Sequence, residues 1–263
     1  MRKFIIFCLL AQATSLICPA VTLVPNNTTG LDLPGVYYDY YRIRYSSVTG
    51  ETGADASVYG DSLKISFGGA NYGGAASGAG LKFDFATANI GMVIQSEFPS
   101  AVIDDLKITA TGTYSLVSTA APGSFAQVIS QIPFNMQVVG VNGVPYSSAD
   151  LVLGYSLKVL PSKTQADFNL SVPASGVSVM NGTWGMEWSV QGLGASLAQL
   201  FNIPTMKITA LDLAITPNLT SLSQDGTSSI YLNYLDVTPI PEPSGTALLA
   251  LSGAWLIFRR RKS

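Results

Sequence analysis

The chain contains no histidine. That removes Ser-His-Asp and Cys-His nucleophilic catalysis, and with them the commonest ligand for zinc, copper or iron. Cysteine is scarce, with only Cys8 and Cys18, both close to the N-terminus. Residues beyond 20 therefore hold no disulfide, and core packing alone must stabilise them. Charge is also thin, at 11% of residues against roughly 25% in an average domain. Hydrophobic residues nevertheless reach 48%, so the chain is not a disordered polyelectrolyte. Ser, Thr, Asn and Gly must carry its solubility. Basic clusters are missing from 21–238, which holds 8 cations against 15 acids. An acidic body of this kind is a poor nucleic-acid binder, because phosphate neutralisation supplies most of that affinity.

Chemistry-bearing patterns are equally sparse. Gly194-Ala195-Ser196-Leu197-Ala198 resembles a nucleophile elbow with Ala for the final Gly. Without a histidine base it reads as part of a short helix, so no catalytic residue is expected. A carboxylate-only glycosidase needs two acids about 5 to 9.5 Å apart, for which Glu51, Glu97, Asp104, Asp105 and Glu187 are candidates. Surface solubilisation is the default role for each. Asp104-Asp105 offers hard oxygen ligands for calcium, yet no EF-hand or repeat spacing accompanies it, and a solvated turn is the simpler reading. The glycine-rich stretch 68–80 is too irregular to cradle phosphate and reads as a flexible loop. No metal and no cofactor are expected.

What is present is a period of two. Leu63-Lys64-Ile65-Ser66-Phe67, Leu81-Lys82-Phe83-Asp84-Phe85 and Leu106-Lys107-Ile108-Thr109 alternate apolar with polar, as half-buried strands do. Leu151, Leu153, Tyr155, Leu157 and Val159 share a face of a later run, and Phe134, Met136 and Val138 lead to a hairpin signal at Asn142-Gly143. Asn181-Gly182 predicts a second two-residue hairpin, pairing Met180 with Thr183, Val179 with Trp184 and Val177 with Met186. Leu193, Leu197, Leu200 and Phe201 recur at helical spacing before Pro204, which predicts one short crossover helix. Strands are expected again over 205–216 and 228–238. Roughly a dozen strands separated by turn residues argue an all-β fold, a single jelly-roll-like β-sandwich over 21–238.

Near its start, strict alternation puts Tyr37, Tyr41, Ile43 and Tyr45 on a core face and Tyr38, Tyr40, Arg42 and Arg44 on the other. The second set, aromatic with two cations, is a candidate carbohydrate-contact face. Edge-strand cover is the plainer reading of the same residues.

Both ends carry addresses. Met1-Arg2-Lys3 followed by Phe4-Ile5-Ile6-Phe7-Cys8-Leu9-Leu10 is a charged n-region and an apolar h-region. Cleavage after Ala13 or Ala20 is compatible with it, and the later site makes 1–20 a signal peptide holding both cysteines. At 239–263, Pro241-Glu242-Pro243-Ser244 precedes an uncharged run over 245–258, then Arg259-Arg260-Arg261-Lys262. The prolines fix φ and hold Glu242 extended. As a helix the uncharged run spans roughly 21 Å, short of a bilayer core of about 30 Å. The cations after it place the C-terminus in the cytoplasm. This is a temporary anchor with a stiff, accessible segment in front.

The three parts in this order resemble the PEP-CTERM domain, the tail recognised by membrane proteases called exosortases. The resemblance covers 241–262, with a hydrophobic part shorter than the family's pattern. It implies that Pro241, Glu242, Pro243 and Ser244 form the recognition and processing element and that 259–262 is the basic stop. It also implies an exosortase-like protease as partner and a transient stay in the inner membrane. The destination would be the cell surface or an exopolysaccharide matrix. On this reading the β domain is a non-enzymatic cargo. A carbohydrate-binding module and a carboxylate-only glycoside hydrolase are the alternatives.

Overall fold

The computed structural model describes residues 19–26, 29–47, 49, 53–68, 72–98, 101–145, 168–172, 177–195 and 207–241. Residues 1–18 of the expected signal peptide 1–20, the alternating run 151–159, Leu197 to Pro204, and the tail beyond Pro241 lie outside them. Fourteen strands are formed by the described residues: β1 (Val21–Leu23), β2 (Leu31–Leu33), β3 (Tyr38–Ser47), β4 (Ala54–Tyr59), β5 (Ser62–Ser66), β6 (Gly73–Ser96) and β7 (Ile103–Ser118), then β8 (Phe125–Gln131), β9 (Phe134–Val141), β10 (Val144–Pro145), β11 (Phe168–Val172), β12 (Ser178–Val190), β13 (Ile208–Ile215) and β14 (Asn218–Pro241).

All strand pairs are antiparallel, and the order β1-β4-β5-β14-β6-β13-β9-β10 forms one path. Strands β7 and β12 extend it from β14, β8 and β11 extend it from the first half of β14, and β2 and β3 extend it from β6. The result is the expected all-β sandwich. One layer centres on β14, between β5 and β7; the other centres on β6 and β13, between β3 and β9. The layers meet through aromatic side chains. The Tyr40 hydroxyl of β3 lies 3.0 Å from Val237 O of β14, and Phe134 of β9 meets Trp188 of β12 edge-on at 6.2 Å. Between them lie fully buried Leu63, Ile65, Ile90, Ile94, Ile108, Leu213 and Leu235, each worth roughly 2 kcal/mol of burial.

Two strands link the layers by folding over. Over 73–78 and 81–87, β6 pairs with β14, and its continuation 88–96 pairs with β3. The bend falls at Gly78 and Gly80, whose φ of 118° and 73° suit glycine, opposite Asp225 at φ 48°. Gly80 N donates to Asp225 Oδ1 at 2.7 Å, which fastens the corner. Ala75 N then reaches Asp84 Oδ2 at 2.8 Å, although nine residues of extended strand would separate them by roughly 30 Å. Buried small residues, Ala76, Ser221 and Ser223, let the two arms approach.

Two expectations are corrected here. Much of the glycine-rich stretch 68–80 is strand rather than loop, because Gly73 and Gly74 press on β14: a Cβ at Gly73 would stand 2.1 Å from Ile230 O. The Asn181-Gly182 hairpin does not form. β12 runs straight through it, Asn181 opposite Ser115 and Gly182 opposite Tyr114. Of the crossover helix, 193–195 is helical and the remainder lies outside the described residues. Asn142-Gly143, by contrast, is the tight turn expected, with φ of 54° and 77°. Among the described residues, no helix is long and apolar enough to cross a membrane.

Candidate functional site

The outer face of the β3-β6-β13-β9 layer is a polar surface, and strand register builds it row by row. Asp39, Gln95, Ala210 and Gly140 form one row, followed by Tyr41, Val93, Asp212 and Gln137, then Arg44, Gly91, Ala214 and Asn135. Half of the residues that the two middle strands contribute are small, namely Gly91, Ala210 and Ala214, and nothing lies within 4 Å of where a Cβ on Gly91 would sit. A shallow trough results, flanked by Tyr41 and Arg44 on one side and Gln137 and Asn135 on the other. It continues into a cleft of about 290 Å³ lined by Gln95, Glu97, Phe98, Val139 and Thr209.

Electrostatics make the trough a mixed-charge surface. Partial burial raises the Asp212 carboxyl above the usual carboxylate value, and the nearby Arg44 and Arg42 charges pull it back down. Tyr41 donates from its hydroxyl to Asp39 Oδ2 at 3.0 Å, and that bond is the main reason its phenol is harder to ionise. The arrangement can present a tyrosine ring edge, amides and fixed charges to a polyhydroxylated ligand.

The carbohydrate-contact face expected from alternation is only half realised. Tyr38 and Tyr40 are fully buried, their hydroxyls donating to Val102 O at 2.8 Å and Asp61 O at 2.6 Å. Burial raises both phenols, with the Asp61 charge adding to the effect. Arg42 and Arg44 stay outside. The cause is a bulge at Arg42, which adopts φ 53° and shifts the register with β6 between Tyr41 and Arg44. One extra residue flips every side chain before it relative to those after it. Tyr38 and Tyr40 thus join Ile43 and Tyr45 in the core, while Tyr37 and Tyr41 turn outward. Arg42 N donates to Asp32 Oδ1 at 2.8 Å, which pins the bulge. No local signal in the sequence marks it, so strict alternation puts Tyr37, Tyr38, Tyr40 and Tyr41 on the wrong faces, and Asp212, Gln95 and Gln137 carry no motif that draws them together.

Other candidate carboxylates are occupied structurally. Asp105 Oδ1 accepts from Gly192 N at 2.8 Å and Asp104 Oδ1 from Gly194 N at 3.2 Å, so both tie down the chain after β12. Glu187 faces outward, as alternation predicts, and pairs with Lys107 at 2.9 Å. Glu51 lies outside the described residues. Among those residues no group of three acids or thiols is placed to hold a metal.

At the other end of the molecule, β14 runs to Pro241, with Pro239 opposite Leu106, Ile240 opposite Asp105 and Pro241 opposite Ile103. Pairing with β5 stops at Val237, so the two prolines, which lack an N–H, sit where no described strand pairs on that side. Glu242, Pro243, Ser244 and the basic residues Arg259, Arg260, Arg261 and Lys262 lie outside the described residues.

No family model matches this chain, and no curated protein matches it. Among solved structures it is similar to the family 11 xylanase from Neocallimastix patriciarum, at 9% identity and a TM-score of 0.24, covering 85% of this chain and 100% of that one. A loop-swap mutant of Xyn11A from the same organism gives 11% identity and a TM-score of 0.22 over the same shares. Likeness at this level carries no argument about activity.

Proposed function

We propose that this chain is an exported, non-enzymatic β-sandwich protein that an exosortase-like membrane protease processes at its C-terminal tail. The cell surface or an exopolysaccharide matrix is its destination. The Pro241-Glu242-Pro243-Ser244 motif, followed by a short apolar run and four cations, carries this reading. The course of β14 supports it physically. Only residues 242–244, at most about 14 Å of chain counted to the start of the apolar run, separate Pro241, the last of the described paired residues, from the expected membrane plug. While the plug is inserted, the acidic body is held against the lipid. A cut after Pro241 leaves every β14 pairing intact, so release costs the sandwich no stability.

Intact-mass analysis of the exported product tests the proposal. Its C-terminus is expected within 241–244, and Pro241→Ala with Pro243→Ala should keep the protein in the membrane fraction. An external product that still carries Phe258 and the basic run refutes it.

A second reading, a carbohydrate-binding module, is favoured by the trough of Tyr41, Arg44, Asp212 and Gln137. A glycan array should then give a signal with the parent protein that Tyr41→Ala with Arg44→Ala removes without changing the thermal midpoint. A silent array for the parent disposes of this reading.

A further inference from the structure

The folded-over arm of β6 exposes an apolar strand edge. Leu81, Phe83 and Phe85 are 65%, 61% and 45% exposed, and the two phenyl rings lie 5.6 Å apart. Over 81–86 this strand pairs with β14 on one side, and no described residue pairs with its other side. Two hydrogen bonds fix which backbone groups face that open side. Ala88 N donates toward β14, to Pro217 O at 3.2 Å, whereas Thr87 N donates the opposite way, to Thr49 Oγ1 at 3.1 Å. Strand alternation therefore turns the N–H and C=O groups of Leu81, Phe83 and Phe85 outward. Exposed edges with apolar side chains are templates for another strand.

We propose that this edge is a two-fold self-association site, taking a second copy of the same segment antiparallel with Phe83 opposite Phe83. The sequence is self-complementary about that point. Leu81 then faces Phe85 of the other copy, and Lys82 faces Asp84 of the other copy, twice over by symmetry. The charged pairs fall on the face that carries Ser221 and Ser223, since Ser223 is opposite Lys82 and Ser221 opposite Asp84 in β14. The apolar pairs fall on the outer face. Any other antiparallel self-register loses either the Phe83 contact or the alternation of charge.

Sedimentation velocity on the chain as exported is expected to show a concentration-dependent dimer. Lys82→Asp should weaken it by about tenfold, because like charges then stand opposite each other, and adding Asp84→Lys should restore it. Oxidation should cross-link Phe83→Cys, since directly opposed residues bring Cα atoms to about 5.5 Å. Leu81→Cys alone should not cross-link, while Leu81→Cys with Phe85→Cys should. A thermal midpoint unchanged by Lys82→Asp and by the cysteine substitutions separates these effects from misfolding. A monomer at all concentrations up to roughly 0.1 mM overturns the proposal, as does charge reversal without restoration. Protection of 81–85 from hydrogen exchange in such a monomer would assign the edge to other residues of this chain instead.

Discussion

Replacing Gly112 with alanine is expected to cost about 3 kcal/mol or more, enough to remove a large part of the stability of a domain this size. Gly112 lies in β7 between Trp184 of β12 and Leu232 of β14. A Cβ there would stand 1.9 Å from Tyr231 O and 2.5 Å from the Trp184 indole. Trp184 Nε1 donates to that same carbonyl at 3.1 Å. The methyl group must therefore displace backbone, a packed indole and a hydrogen bond together. Gly185 supplies the control, since a Cβ at that position meets Ala110 O at an ordinary 3.7 Å, and Gly185→Ala should change stability by less than about 1 kcal/mol. Urea unfolding with an unchanged slope measures both. Equal effects would mean that the close approach at Gly112 is not rigid.

Asp61→Ala is the second large effect, expected at about 3 kcal/mol, with Asp61→Asn nearer 1 kcal/mol. Gly60 and Asp61 form the two-residue turn between Tyr59 and Ser62, with Gly60 at φ 62°. Asp61 Oδ1 accepts from three backbone amides, Val36 at 3.0 Å, Tyr37 at 2.6 Å and Tyr38 at 3.2 Å. It holds the start of β3 and so sets the depth of Tyr38 and Tyr40. Alanine leaves those amides without their acceptor, and asparagine keeps an oxygen but loses the charge. Hydrogen exchange should report the loss first at 36–38. If exchange rises uniformly across the sandwich instead, Asp61 acts through global stability rather than this anchor.

Local pattern went a long way in this chain, and the two Asn-Gly pairs mark where it stops. Both carry the same hairpin signal. At Asn142-Gly143 the flanking strands have each other as partners, Val144 opposite Val141, and the turn forms. At Asn181-Gly182 the flanking residues find β7 instead, in register from Ser178 opposite Ser118 to Val190 opposite Leu106. A Cβ at Gly182 would come within 2.9 Å of the Tyr114 hydroxyl, so that glycine makes room for a side chain on the next strand. Ser115 Oγ donates to Asn181 Oδ1 at 2.6 Å, a cross-strand bond no local rule anticipates. Thirteen residues of pairing outweigh a turn propensity.

The sequence by itself determined the all-β class, the alternation of most strands, the outward face of Glu187 and the turn at Asn142-Gly143. It also supplied the motifs behind the sorting proposal. Those features are written in nearest-neighbour terms, as period, turn chemistry and charge. Only the tertiary structure decided which strands pair and where β6 and β14 fold over. It alone decided that the bulge at Arg42 sends Tyr38 and Tyr40 inward while leaving Tyr41 beside Asp212. Each of those outcomes depends on contacts between residues tens of positions apart, whose energies no local pattern encodes.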